Sequence, residues 1–186
     1  GDYRARTYGP HNRVMDEMRR LRSALRGPVY AVLGNHDFIE MAAELEGMDI
    51  RVLLNESTVF ERGGQRLWLA GLDDPHYYMA DDLARATEGI PPNAASILLV
   101  HSPEIYREAE AAGFDLLLCG HTHGGQICLP RGIPVILNAK CPRAFGAGSW
   151  RFGDLLGYTS VGAGASGLDV RFHCPPEIVI HELHRA

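Results

Sequence analysis

Apolar positions along the chain follow two different spacings, and the change from one to the other marks the elements. From His11 to Arg26, Val14, Met18, Leu21 and Leu25 recur at helical spacing, one face of an amphipathic helix. Gly27-Pro28 stops it. Pro28–Leu33 is almost wholly apolar and reads as a buried strand closed by Gly34-Asn35-His36-Asp37. A short helix near Ile39–Glu46 and a strand at Ile50–Leu54 follow. Thr58–Arg62 and Arg66–Ala70 flank Gly63-Gly64 and predict a hairpin. Further on, the pattern predicts a helix over Ala80–Thr87, a strand over Ser96–Val100, a helix over Glu104–Ala112 and a strand over Phe114–Cys119. Beyond that the chain is richer in Gly and Pro, with short strands expected at Gln126–Leu129, Val135–Asn138, Leu156–Val161, Val170–His173 and Ile178–Leu183. Strand–helix alternation followed by strands alone predicts an α/β domain with a second, antiparallel layer.

Composition narrows the class. The chain has 186 residues, 46% hydrophobic and 22% charged, a composition that fills one globular domain over residues 1–186 and argues against disorder. No apolar run approaches the ~20 residues of a membrane span. The net charge of −5 weighs against nucleic-acid binding through a basic face. Four cysteines, with no Cys-x-x-Cys among them, read as buried free thiols.

The candidate chemistry sits just after the apolar strands, where open α/β sheets bind their ligands. Asp2 opens the chain; Asn35, His36 and Asp37 follow one strand, His101 the next, and His121 and His123 a third. In extended backbone, His121 and His123 would face one way and Thr122 the other. Glycines 120, 124 and 125 allow close approach to a ligand. Any one such histidine is more often an ordinary hydrogen-bonded residue. Imidazole, amide oxygen and carboxylate converging from separate segments instead point to a metal, and mixed N/O ligation suits Mn, Fe or Zn. Asp73, Asp74 and His76, after Arg66–Leu72, are placed to line the pocket, but such residues more often serve a turn. Glu104 reads as an early helix residue, and Trp68 and Trp150 as packing.

These residues carry a resemblance. Gly34-Asn-His-Asp, the strand leading into His101-Ser-Pro-Glu104 and Gly120-His-Thr-His-Gly-Gly-Gln126 resemble the motifs of the calcineurin-like metallophosphoesterase superfamily, and Gly1-Asp2 resembles the end of its Gly-Asp motif. The closing stretch resembles the bacterial single-domain branch, which includes lipid-directed phosphodiesterases. The resemblance implies an α/β fold, a metallophosphoesterase-type β-sandwich flanked by helices. It implies hydrolysis of phosphoesters, as a phosphodiesterase or phosphatase, by a metal-activated hydroxide at a dinuclear site. The cofactors would be two divalent ions in the intact protein, Mn, Fe or Zn. Asp2 matches the bridging carboxylate; Asn35, His101 and His121 match the other ligands of one ion, and His123 a ligand of the second. His36 matches the histidine beside the scissile phosphate. A phosphoester substrate is thus the expected partner. Pyrophosphate cleavage of a nucleotide-linked lipid such as UDP-diacylglucosamine and a non-catalytic metal-binding fragment are the alternative readings.

The chain departs from that pattern in two places. No Asp-x-His strand precedes Gly1, so the expectation is an N-terminally incomplete domain lacking its first strand–helix–strand. One ion then has its full ligand set and the other only Asp2 and His123, with Asp2 expected to fray. The expected location is the cytoplasm or the cytoplasmic face of a membrane, any anchor lying in a missing N-terminus. Ala5 stands where many members carry a residue that orients the catalytic histidine, leaving that role to Asp37 or to none.

Overall fold

The computed structural model describes residues 1–184. The amphipathic segment forms α1 (Asn12–Ala24), followed by β1 (Val29–Ala31), α2 (Glu40–Glu46) and β2 (Ile50–Val52). β1 and β2 pair in parallel, Val29 opposite Ile50. α1 and α2 cover this small sheet with Met15, Met41, Ala42 and Leu45, packed on Ala31, Leu33, Ile50 and Val52.

The larger layer is a six-stranded mixed sheet. Its strands are β3 (Glu56–Arg62), β4 (Gln65–Gly71), β5 (Ser96–Leu99), β6 (Leu116–Cys119), β9 (Gly148–Phe152) and β10 (Leu155–Thr159), in the order β3-β4-β5-β6-β10-β9. β3–β4 is the hairpin expected around Gly63-Gly64. From β4 to β10 the strands run parallel. One face is sealed by α3 (Leu83–Thr87) and α4 (Tyr106–Ala111): Ala86, Tyr106 and Ala109 bury against Leu98, Leu117 and Leu155. Trp150 stacks on Phe145 at 4.4 Å in the same core, a packing role as expected. The two sheets meet where Leu53 and Val32 lie over Gly71, which has no room for a Cβ.

The α/β architecture is as anticipated, but the strand-rich C-terminal part is not. The second layer, β1–β2, is parallel; the antiparallel pairings of the large sheet lie at its edges. β9 was not foreseen, because Gly148-Ser-Trp-Arg-Phe152 carries no clear alternation. The strand expected at Gln126–Leu129 shrinks to β7 (Cys128–Leu129), which pairs with β8 (Ile133–Pro134), upstream of the expected Val135–Asn138. Val170–His173 makes one bridge, Ile127 to Phe172. Ile178–Leu183 forms no strand: Ile178 and Ile180 are about nine-tenths exposed, and the segment is irregular.

Candidate metal centre

Parallel neighbours in register deliver their following residues side by side. β5 and β6 pair Leu99 with Leu118, and the Gly120 N–H then donates to His101 O at 2.9 Å. His101 and His121, each two residues past its strand, are thereby adjacent, with ring centroids 4.9 Å apart. β1 brings Gly34–Asp37 to the same edge. His101 Nε2 faces three other heteroatoms: Asn35 Oδ1 at 3.1 Å, Asp2 Oδ2 at 3.2 Å and His121 Nδ1 at 3.1 Å. Asp2, His101 and His121 each turn a ligand atom into one space, all within 4.8 Å of one another.

The donor chemistry fits a cation. His121 Nε2 lies 2.7 Å from Asn138 O. A carbonyl only accepts, so Nε2 carries the proton and Nδ1 keeps its lone pair. A proton on His101 Nε2 serves one of its three neighbours and leaves the others facing each other. A divalent ion satisfies all four at once, and N/O donors of this kind suit Mn, Fe or Zn. Burial, with His101 and His76 beside it, pushes the His121 pKa down to about 4, so the ring is neutral and able to ligate at neutral pH. Burial works against ionisation of Asp2, but the hydrogen bond and charge of His101 and the His36 N–H outweigh it and hold its carboxyl down at about 2.

Asp2 does not fray. Its side chain is 9% exposed, its Oδ1 accepts from His36 N–H at 2.9 Å, and its own N–H donates to Asp37 Oδ2 at 2.6 Å. Asp37 also accepts from Gly34 N–H at 2.9 Å. Asp37 thus braces the backbone of the loop, and among the described residues it makes no hydrogen bond to the His36 ring. The ring reaches Ser166 Oγ from Nε2 at 3.4 Å, and its Nδ1 is buried without a partner. Gly34 is required here: a Cβ would run into Asp2 Oδ1 and lie 2.8 Å from His101 Cε1.

The two histidines of the Gly120–Gln126 loop do not share a face. The expected alternation needs extended backbone, whereas His121, His123 and Gln126 all have φ between 51° and 68°. Turn hydrogen bonds, Thr122 N–H to Gly120 O and Gly125 N–H to Thr122 O, coil the loop back. His121 therefore turns to His101. His123 lies outside the tight group and meets the Arg171 guanidinium, Nη2 to Nδ1 at 3.4 Å. Burial first, then Arg171, lowers the His123 pKa. His123 still opens onto a cavity of about 320 Å³ with Asp2, Asn35, His36 and Ser166.

Four further residues reach the site that the sequence does not assign to it. His76 packs on His121, ring centroids 4.1 Å apart, and its Nδ1 meets Glu104 Oε1 at 2.9 Å. Gln126 grips the segment that carries Ser166, and Arg171 faces His123. None had a spacing signal; Glu104 is marked only by its place just after His101-Ser-Pro. Asp74 is the turn residue expected, accepting from the N–H groups of Tyr77 and Tyr78. The cysteines are free, three of them buried.

Residues 1–125 match the family model described as calcineurin-like phosphoesterase. An uncharacterized metallophosphoesterase of Campylobacter jejuni is 36% identical over 165 residues, 84% of this chain and 42% of its own length. The phosphodiesterase YaeI of Escherichia coli is 29% identical over 166 residues, 84% of this chain and 58% of its own. A bovine transmembrane protein with metallophosphoesterase domain is 32% identical over 169 residues, 80% of this chain and 37% of its own. This chain thus spans about half the length of the curated relatives it matches. Among solved structures, the sulfate thiohydrolase SoxB of Thermus thermophilus shares the fold with a TM-score of 0.53 at 18% identity, over 80% of this chain and 30% of that one. The chain belongs to the calcineurin-like phosphoesterase family.

Proposed function

We propose that the protein hydrolyses phosphoesters, as a phosphodiesterase or phosphatase, at a centre of divalent cations. The observation that carries this reading is the convergence of Asp2 Oδ2, Asn35 Oδ1, His101 Nε2 and His121 Nδ1 on one space, at the wall of a cavity large enough for a phosphoryl group. These four residues hold the first ion. Asp2 and His123 are assigned to a second, whose coordination the described residues do not complete, since a site commonly takes three or more protein ligands. Bound divalent ions supply an activated water and positive charge against the phosphoryl oxygens.

The protein's own residues do the rest. Asp2 fixes the loop that carries His36 through the His36 N–H. His36 turns Nε2 into the cavity and delivers a proton to the leaving oxygen, the part of a general acid. The Asn138 carbonyl and the His76 ring hold His121 from behind. Arg171 keeps a fixed positive charge beside His123. A relative named as a phosphodiesterase supports the reaction class. Relatives named as transmembrane proteins with this domain support action at a membrane face, although no described helix is long and apolar enough to cross one.

The test is hydrolysis of a generic aryl phosphodiester with Mn²⁺, alongside metal analysis. The expected result is turnover that a chelator abolishes and Mn²⁺ restores. A protein that takes up the ion and turns over neither diester nor monoester would return the domain to a binding role.

A further inference from the structure

Beyond the metal centre, the β7–β8 hairpin carries an apolar stripe that ends at the cavity. Leu129 is paired with Ile133, and one step inward the Val135 N–H donates to Ile127 O. Residues two apart on a strand share a face, so Ile127, Leu129, Ile133 and Val135 form one continuous row. Phe172, bridged to Ile127, stands beside its inner end. Ile127, Val135 and Ile136 line the same cavity as His36 and His123. Leu129, Ile133, Val135, Ile136 and Phe172 are each about half exposed or more. An apolar patch of this kind at a site mouth marks a contact surface.

Charge says which surface. Between residues 116 and 153 the chain has Arg131, Lys140, Arg143 and Arg151 and no acidic residue, although the whole chain is at −5. Arg131 sits at the hairpin tip between Leu129 and Ile133, and the Arg143 guanidinium reaches Pro134 O at 2.6 Å, beside β8. Two other exposed apolar groups lack this setting. Ile178 and Ile180 lie between Glu177 and Glu182, and Tyr77–Met79 lies between Asp74 and Asp81.

We propose that the β7–β8 hairpin docks on an anionic phospholipid surface. The stripe enters the acyl boundary and the arginines meet headgroup phosphates, the combination by which peripheral segments hold to membranes. Docking there sets the mouth of the catalytic cavity against the lipid phosphates, so a membrane phosphoester is the substrate class that follows. That last step rests on the proposed hydrolysis; the docking itself does not.

Sedimentation with phosphatidylcholine vesicles, with and without phosphatidylglycerol, tests it. The chain should bind the phosphatidylglycerol vesicles selectively, and more weakly as salt rises. Leu129→Ser/Ile133→Ser should cut partitioning at least about tenfold, the scale of withdrawing two large apolar side chains. Circular dichroism confirms that the variant is folded. Ile178→Ser/Ile180→Ser should bind as the parent does. His121→Ala, which disables hydrolysis in the reading above, should bind vesicles unchanged, so the two proposals fail separately. Absence of binding, indifference to phosphatidylglycerol, or equal binding by the hairpin variant overturns the proposal. So does a hairpin-dependent dimer in solution that leaves vesicles untouched.

Discussion

The imidazole of His76 lies against that of His121 with ring centroids 4.1 Å apart, and Glu104 holds it there through Nδ1. Glu104 Oε1 also accepts the Lys140 N–H at 2.7 Å, two residues from the Asn138 carbonyl that takes His121 Nε2–H. One carboxylate thus ties the turn after β4 to the segment that sets the His121 tautomer. Partners behind a metal ligand commonly contribute 10- to 100-fold in affinity. His76→Ala should weaken metal binding by about that factor while the far-ultraviolet spectrum stays that of the parent. Titration calorimetry with Mn²⁺ or Zn²⁺ checks it; an unchanged dissociation constant would reduce His76 to packing.

Much of this arrangement was legible in the chain. The apolar runs before Gly34, His101 and Gly120 fix where the strands end, and a parallel sheet does the rest by placing those ends on one edge. What could not be read were contacts between segments with no pattern of their own. His76 stands in a turn, Ser166 in a Gly-rich stretch and Arg171 in an irregular segment, and only tertiary packing brings them to the site. The orientation of His123 departs from the expected alternation for a local reason. Period-two reasoning assumes extended backbone, and the left-handed residues of the Gly120–Gln126 loop break it. The C-terminal strands depart similarly: β-branched residues such as Val170, Ile178 and Ile180 favour strand locally, but tertiary context decides, and here the backbone stays irregular.

His121 and His36 should separate cleanly when each is replaced by alanine. His121 turns Nδ1 into the ligand cluster, so His121→Ala should lose metal and hydrolysis together. His36 stands 3.9 Å from Asp2 Oδ2 and outside that cluster. His36→Ala should retain metal and lower kcat by about 10²–10⁴, the range for losing a general acid. Metal analysis of both variants beside steady-state kinetics distinguishes the roles; equal metal loss would make His36 a ligand.

Acid should destabilise the metal-free protein in two separate ranges. The folded His121 pKa is about 4, against 6.5 ordinarily. The unfolded chain therefore binds a proton first as pH falls below 6.5, and stability declines from there down to about 4. Asp2, at about 2 against 3.8, is a depressed carboxylate. Its contribution is complete above 3.8 and is lost only as pH falls from there towards 2. Melting curves in chelator from pH 7.5 to 4.5 should show the first decline, and His121→Asn should flatten it. A melting temperature that holds level across that range would mean that His121 titrates normally.

Gln126, Ser166 and His36 should act as one unit. Gln126 Oε1 accepts the Ser166 N–H at 2.8 Å, and its Nε2 donates to the carbonyls of Ser166 at 3.1 Å and Leu168 at 2.9 Å. One side-chain amide therefore fixes three backbone groups of an irregular segment. The consequence is the placing of Ser166 Oγ 3.4 Å from His36 Nε2, on a ring whose Nδ1 has no partner. Among the described residues, Ser166 is thus the one hydroxyl that restrains the proposed acid. A neutral hydrogen bond contributes about 0.5–1.5 kcal/mol net, so Ser166→Ala should lower kcat roughly two- to tenfold with KM little changed. Ser166→Thr, which keeps the hydroxyl, should recover most of the loss. Gln126→Ala releases the segment and should reproduce the Ser166→Ala defect. Because both changes break the same restraint, the double variant should be no slower than the slower single one, a departure from additivity that a double-mutant cycle measures. Additive losses would show that Gln126 and Ser166 stabilise the loop independently of His36.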